Sequence, residues 1–106
     1  MMYMEPVEIG GRTAIAMKVA LPKTTLLIVT TDKGYIMCGA LDVNLLNERL
    51  SERRIIAGRA TGVRTIEQLL DAPLESVTLA AEEIGIHPGM KGREAVEKMM
   101  RADVTD

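Results

Sequence analysis

The stretch Leu26–Arg64, LLIVTTDKGYIMCGALDVNLLNERLSERRIIAGRATGVR, constrains the fold more than any other part of the chain. It opens with a continuous aliphatic and β-branched run, the pattern of a strand covered on both faces. Asp32-Lys33-Gly34 supplies a tight turn in which glycine can take a left-handed backbone. Tyr35–Leu41 then reads as a second strand, antiparallel to the first, with Gly39 marking a bulge or a close backbone approach. Asp42 or Asn44 can cap a short helix, since Val43, Leu46 and Leu50 follow at helical spacing. The segment RIIAGRA reads as a third strand. A strand, a helix and a strand in that order make a βαβ unit, whose two strands run parallel through a right-handed crossover.

The flanking segments extend this unit in two directions. Upstream, Val7 and Ile9 alternate with Glu8, Gly10-Gly11 can form a two-residue hairpin turn, and alternation resumes from Arg12 to Leu21. One face of that second strand carries Ile15, Met17, Val19 and Leu21. The other carries Ala14, Ala16, Lys18 and Ala20, small side chains that would let another sheet or subunit approach closely. Downstream, the apolar period becomes helical. Thr65–Gln68 has capping-box spacing ahead of Ile66, Leu69 and Leu70. Asp71-Ala72-Pro73 then ends one helix and starts another, in which Val77, Ala80, Ala81 and Ile84 share a face and Gly85-Ile86 forms the stop. A last helix beginning near Met90 or Gly92 turns Ala95, Val96, Met99 and Met100 inward, with Glu94 and Lys98 paired on its surface. The expected fold is therefore α+β: a five-stranded mixed β-sheet, made of N-terminal antiparallel hairpins plus one βαβ unit, followed by a C-terminal helical segment. Residues 1–106 read as one domain.

A core for this fold must be built without Phe or Trp, from aliphatic residues and eight Met, with two Tyr as the aromatic content. Such a domain has less area per residue to bury and gains from a partner subunit. A net charge of −2 and few aromatics argue against a nucleic-acid footprint. The turn in IGIHPGMKGREAVEKM is faintly like a helix-hairpin-helix, yet Glu82, Glu83, Glu94 and Glu97 surround it. One cysteine, Cys38, excludes an internal disulfide and a cysteine-based zinc site, and fits a reducing compartment. MMYMEPVEIGG does not read as a signal peptide and the apolar runs are too short to span a bilayer, so the expected location is cytoplasmic, without membrane.

Chemistry, if present, belongs where parallel strands end, because open α/β sheets bind ligands at that edge. Two loops should leave it: Cys38–Asp42 and Gly58–Arg64. The second combines Gly58, Arg59, Thr61, Gly62 and Arg64 just before a helix start, a combination able to hold a carboxylate or phosphate. It is neither a Walker loop nor a dinucleotide fingerprint. Alternatively the glycines merely turn the chain, and the arginines are solvated or pair with Glu48, Glu52 or Glu67. Cys38 is a candidate nucleophile if its thiolate is stabilised, or else a small core residue. Asp42 is a candidate acid or base, or else a helix cap. His87 lies far along the chain from Cys38, and one His with one Cys makes no metal site; no cofactor is implied.

The segments GYIMCGALDV, LNERL, IIAGRATGVRTIEQLLDAPLESVT and AAEEIGI resemble the YunC-like family of bacterial and archaeal proteins of unknown function, chiefly through CGALD and AGRATGVRT. The resemblance implies a small α+β domain whose N-terminal β region mediates homo-oligomerisation as tetramers. It implies no activity. Self-association is accordingly the first functional expectation, an enzyme or binding protein for a small anionic metabolite using the Cys38, Arg59 and Arg64 crevice the second, and a nucleic-acid module the third.

Overall fold

The computed structural model of the protein describes residues 1–39, 47 and 54–102. Its elements are β1 (Met2–Ile9), β2 (Arg12–Leu21), β3 (Thr24–Thr30), β4 (Gly34–Met37), β5 (Ile56–Arg59), α1 (Ile66–Asp71), β6 (Ser76–Val77), α2 (Leu79–Glu83) and α3 (Gly92–Arg101). The strands form one mixed sheet in the order β1-β2-β3-β4-β5-β6. Pairing is antiparallel except between β4 and β5, which run parallel, as expected of a crossover unit. The helix expected between these two strands falls outside the described residues.

Local chemistry sets the turns. Gly10 and Gly11 both have positive φ, +60° and +81°, so the β1–β2 hairpin closes on two residues as their lack of Cβ allows. Leu21-Pro22-Lys23-Thr24 joins β2 to β3 with Pro22 at the second position and Lys23 at φ +65°, the arrangement of a type II turn. The Thr31 hydroxyl fixes the β3–β4 turn by accepting from the N–H groups of Lys33 and Gly34 and donating to the Gly34 carbonyl.

Five strands are expected, and six are present among the described residues. The sixth, Ser76–Val77, lies in a segment whose spacing suggests helix. Pro73 and Leu74 instead run extended: Leu74 bonds through its backbone to Met90 and Gly89, and Glu75 N–H reaches the Arg59 carbonyl at 2.7 Å. The open flank of β5 captures this segment, and the helix is deferred to Leu79. Thr78 becomes its N-cap, with Oγ1 accepting from Ala81 N–H. The same helix ends as its sequence indicates: Ile86 N–H bonds Ala81 C=O, Gly85 N–H bonds Glu82 C=O, and Gly85 has φ +89°, the Schellman pairing.

The three helices among the described residues are tied into one core with the sheet. It contains Ile9, Ala14, Ala16, Leu27, Val29, Ile36 and Ile56 from the strands, Leu69 and Leu70 from α1, Ala81 from α2, and Ala95, Val96, Met99 and Met100 from α3. The alanine face of β2 is therefore not open to another subunit at Ala14 and Ala16, which are 1% exposed beneath the helices. Small residues do permit close approach there, but what approaches is α3 of the same chain. Gly92 shows how tight this is: a Cβ added to it would lie 2.4 Å from Leu69 O and 2.8 Å from Ile36 Cδ1. The C-terminal carbonyls of α3 are met by cations from the sheet, Arg12 donating to Met100 O at 2.7 Å and Lys33 donating to Ala102 O.

The opposite sheet face presents rows of apolar side chains. Cross-strand register places Met4, Met17, Ile28 and Met37 in one row, and Met2, Val19 and Leu26 in the next. Met2, Met4 and Leu21 are exposed, whereas Ile15, Met17, Val19, Leu26 and Ile28 are half-buried. None of Ile15, Met17, Val19 and Ile28 joins the core under the helices or the small cluster around Ala57. Among the described residues no helix is long and apolar enough to cross a membrane.

Candidate functional site

The parallel pairing of β4 with β5 brings their C-terminal ends to the same rim. Met37 lies beside Arg59, and Ala60 N–H bonds the Met37 carbonyl at 3.0 Å. Just beyond, a Cβ added to Gly39 would stand 3.7 Å from Thr61 Cγ2 and 4.0 Å from an Arg59 guanidinium nitrogen. The two loops picked out in the sequence therefore do meet, with Gly39 on one side and Arg59 and Thr61 on the other. Asp42 lies outside the described residues.

Arg59 is already engaged by the chain itself. The Arg59 side chain is about one-third exposed, and its Nε lies 3.6 Å from Oε1 of Glu75, the same oxygen that accepts from Ser76 Oγ at 2.7 Å. A carboxylate of the chain itself thus lies beside this guanidinium at Nε. The expected carboxylate partners were Glu48, Glu52 or Glu67. Glu75 is not among them because its segment reads as helix, and nothing local in DAPLES marks it as the neighbour of a strand that ends sixteen positions earlier in the chain.

The start of α1 is likewise closed. Thr65 Oγ1 accepts from Gln68 N–H at 3.0 Å and Gln68 Oε1 accepts from Arg64 N–H at 2.7 Å, so the capping-box spacing is realised one residue earlier than its usual return bond. Gly58 is buried against Leu74, whose Cδ1 would lie 2.8 Å from a Cβ at that position. This glycine serves close packing. Gly62 has φ +75° and nothing within 4 Å of an added Cβ, which makes it a turn residue facing open space. Thr61 and Arg64 are exposed.

Cys38 continues the helix-facing side of β4 and is 7% exposed. Its N–H bonds the Leu27 carbonyl at 3.1 Å and its Sγ donates weakly to Thr25 O at 3.9 Å. His87 is exposed in the turn after α2, and among the described residues no hydrogen bond links it to Cys38. Nor do three His, Cys, Asp or Glu side chains gather among the described residues in a metal-binding arrangement. Among the described residues the rim is a polar edge flanked by a buried thiol.

A model of the family described as a domain of unknown function (DUF1805) matches residues 37–99, the part of the chain that runs from the end of β4 into α3. The chain belongs to this family. A relative, the uncharacterized protein YunC of Bacillus subtilis (strain 168), is 63% identical over 101 residues, covering 95% of this chain and 100% of its own length. These findings agree with the YunC-like resemblance carried by CGALD and AGRATGVRT. Among solved structures, a protein of unknown function from Thermoplasma acidophilum, TA1206, matches with a TM-score of 0.84 and 33% identity over 93% of each chain. The α+β architecture of this chain is thus shared with TA1206, and both relatives are proteins of unknown function.

Proposed function

We propose that this DUF1805 family member is a cytoplasmic, self-associating protein, folded as one α+β domain, whose N-terminal β region forms the contact between copies in a tetramer. The observation that carries this reading is the bare apolar side of β1–β3, where Met2 is 65% and Met4 58% exposed beside a band of half-buried aliphatic side chains. A soluble monomer rarely leaves such a contiguous patch uncovered. A core without Phe or Trp also leaves the chain dependent on additional burial. The cytoplasmic part rests on the one thiol, Cys38, free and buried within the core. Sedimentation velocity of the wild-type protein between about 1 and 100 μM tests the reading, a range in which assemblies of ordinary affinity persist. Sedimentation as an assembly larger than a monomer is the expected result; a monomer throughout contradicts it.

A second reading, binding of a small anionic metabolite at the rim, is favoured by the meeting of Gly39 with Arg59 and Thr61. In that reading Arg59 and Arg64 hold the anion, and Cys38 or Asp42 supplies any chemistry. Its test is alkylation of Cys38 near neutral pH with and without phosphate: a rapid reaction slowed by phosphate supports it, whereas slow alkylation indifferent to phosphate reduces Cys38 to a core residue.

A further inference from the structure

We infer that Gly39 is the residue that admits a small oxyanion, a carboxylate or a phosphate, to the Nη2 end of Arg59. This rests on the second reading above, anion binding at the rim, and names the residue that controls entry to it. Of the nine glycines in the chain, five hold a positive φ, and a Cβ added to Gly34, Gly58 or Gly92 would lie 2.5, 2.8 or 2.4 Å from another atom. Backbone conformation or close packing therefore demands each of those glycines. Gly39 answers to neither demand. Its φ lies outside the left-handed region, and among the described residues the nearest atoms to an added Cβ are Thr61 Cγ2 at 3.7 Å and Arg59 Nη2 at 4.0 Å, both at ordinary contact distance. Glycine loses more conformational entropy on folding than alanine, so an alanine of equal fit would be the more stable choice there. What an alanine would change is the surface, because its methyl group would stand against the Nη2 end of the guanidinium in an exposed turn.

The Arg59 side chain lies across the rim in a way that makes this end the one a ligand meets. In the sheet order β5 stands between β4 and β6. Nε is turned to the β6 flank, 3.6 Å from Glu75 Oε1, and that oxygen also accepts from Ser76 Oγ at 2.7 Å. Nη2 reaches the β4 flank, beside Gly39. A guanidinium carries several N–H donors in a planar fork, so bonds made within the chain and a bond to an external oxyanion are compatible on one arginine. Glu75 and Ser76 are positioning residues in this arrangement: they hold the Nε edge and so direct Nη2 toward Gly39. The glycine then decides whether an oxyanion can approach, since any side chain there would cover the nitrogen.

The test titrates wild type and Gly39→Ala with inorganic phosphate and, separately, with acetate. Backbone amides and the Arg59 Nε–H are followed by nuclear magnetic resonance, and urea unfolding is measured on both proteins. In wild type, saturable shifts confined to Gly39, Arg59 and Thr61 are expected, and the anion that saturates names the source of the oxyanion. In Gly39→Ala the dissociation constant read at Arg59 and Thr61 should rise about tenfold or more, at a urea midpoint equal to or above that of wild type. Weakened binding at undiminished stability separates an entry residue from a structural one. Equal or tighter binding by Gly39→Ala overturns the role given to Gly39 while leaving anion binding at the rim intact. A lowered midpoint overturns it as well, because the glycine would then serve the fold. No saturable response of wild type to either anion overturns both.

Discussion

Among the described residues Thr78 is the one buried polar side chain, 2% exposed, and its hydroxyl holds three backbone groups together. Oγ1 accepts from Ala57 N–H at 3.1 Å and Ala81 N–H at 3.3 Å and donates to Ile55 O at 2.7 Å. In Thr78→Val a methyl group of nearly the same shape replaces the hydroxyl, so packing is preserved and the bonds are lost. Ala57 N–H points from β5 toward the β6 flank, and Ala57 is fully buried, so this donor is left without a partner at a cost of about 1–3 kcal/mol. Losing the N-cap of α2 adds about 1 kcal/mol. The expected destabilisation is about 3 kcal/mol, a large share of the ~5–15 kcal/mol that holds a small domain together. Thr78→Ser keeps all three bonds and removes one methyl, for about 1 kcal/mol. Urea unfolding at a fixed protein concentration, with unchanged slope, measures both. A Thr78→Val loss equal to or smaller than that of Thr78→Ser would show that the hydroxyl is not the pin between β5 and α2.

Other perturbations follow from single contacts. Gly92→Ala forces a Cβ against Leu69 O and Ile36 Cδ1 and should cost about 1–3 kcal/mol in the same urea assay; an unchanged midpoint would mean that α3 can shift away freely. Lys23→Gly relieves a side chain held at φ +65° and should stabilise by about 1 kcal/mol, so a destabilised variant would contradict the turn geometry. The Tyr3 hydroxyl donates to Glu5 Oε2 at 2.9 Å, and this bond, with the carboxylate's charge, raises the phenol above its ordinary 10.0. A raised folded value means that the small stabilisation is present below the unfolded phenol's range and is lost as pH rises through the folded one. Ultraviolet titration should show the Glu5→Gln variant ionising at lower pH than wild type; coincident curves would remove the bond.

Much of this architecture is legible in local patterns. Gly10-Gly11, the Thr65 cap and the Gly85-Ile86 stop act over a few residues, and the crossover unit follows from element order. The Asp32-Lys33 turn is legible too, but Gly34 does not take the left-handed backbone expected of it: it begins β4, where a Cβ would lie 2.5 Å from Ile56 O. What local patterns miss is decided between distant segments. Val77, Ala80, Ala81 and Ile84 do recur at helical spacing, yet the open flank of β5 draws Ser76-Val77 into the sheet. β2 is apolar on both faces, and its alternation does not say which face receives the helices. The choice falls to volume: alanines at 14 and 16 leave room for α3 with its large Val96, Met99 and Met100, and this leaves the bulkier Ile15, Met17 and Val19 on the open side. At the rim, GRATG suggests an anion site, but Glu75 beside Arg59 arrives from another part of the chain.

That reversal of faces is what the functional account stands on, and an isotope-filtered nuclear Overhauser experiment addresses it most directly. A sample mixed from methyl-labelled and unlabelled copies reports contacts between copies alone. Transfer to the methyl groups of Met17 and Ile28, with none at Ala14 and Ala16, is the predicted outcome. Transfer confined to the outer edge of β1, or present at the buried alanines, would contradict it.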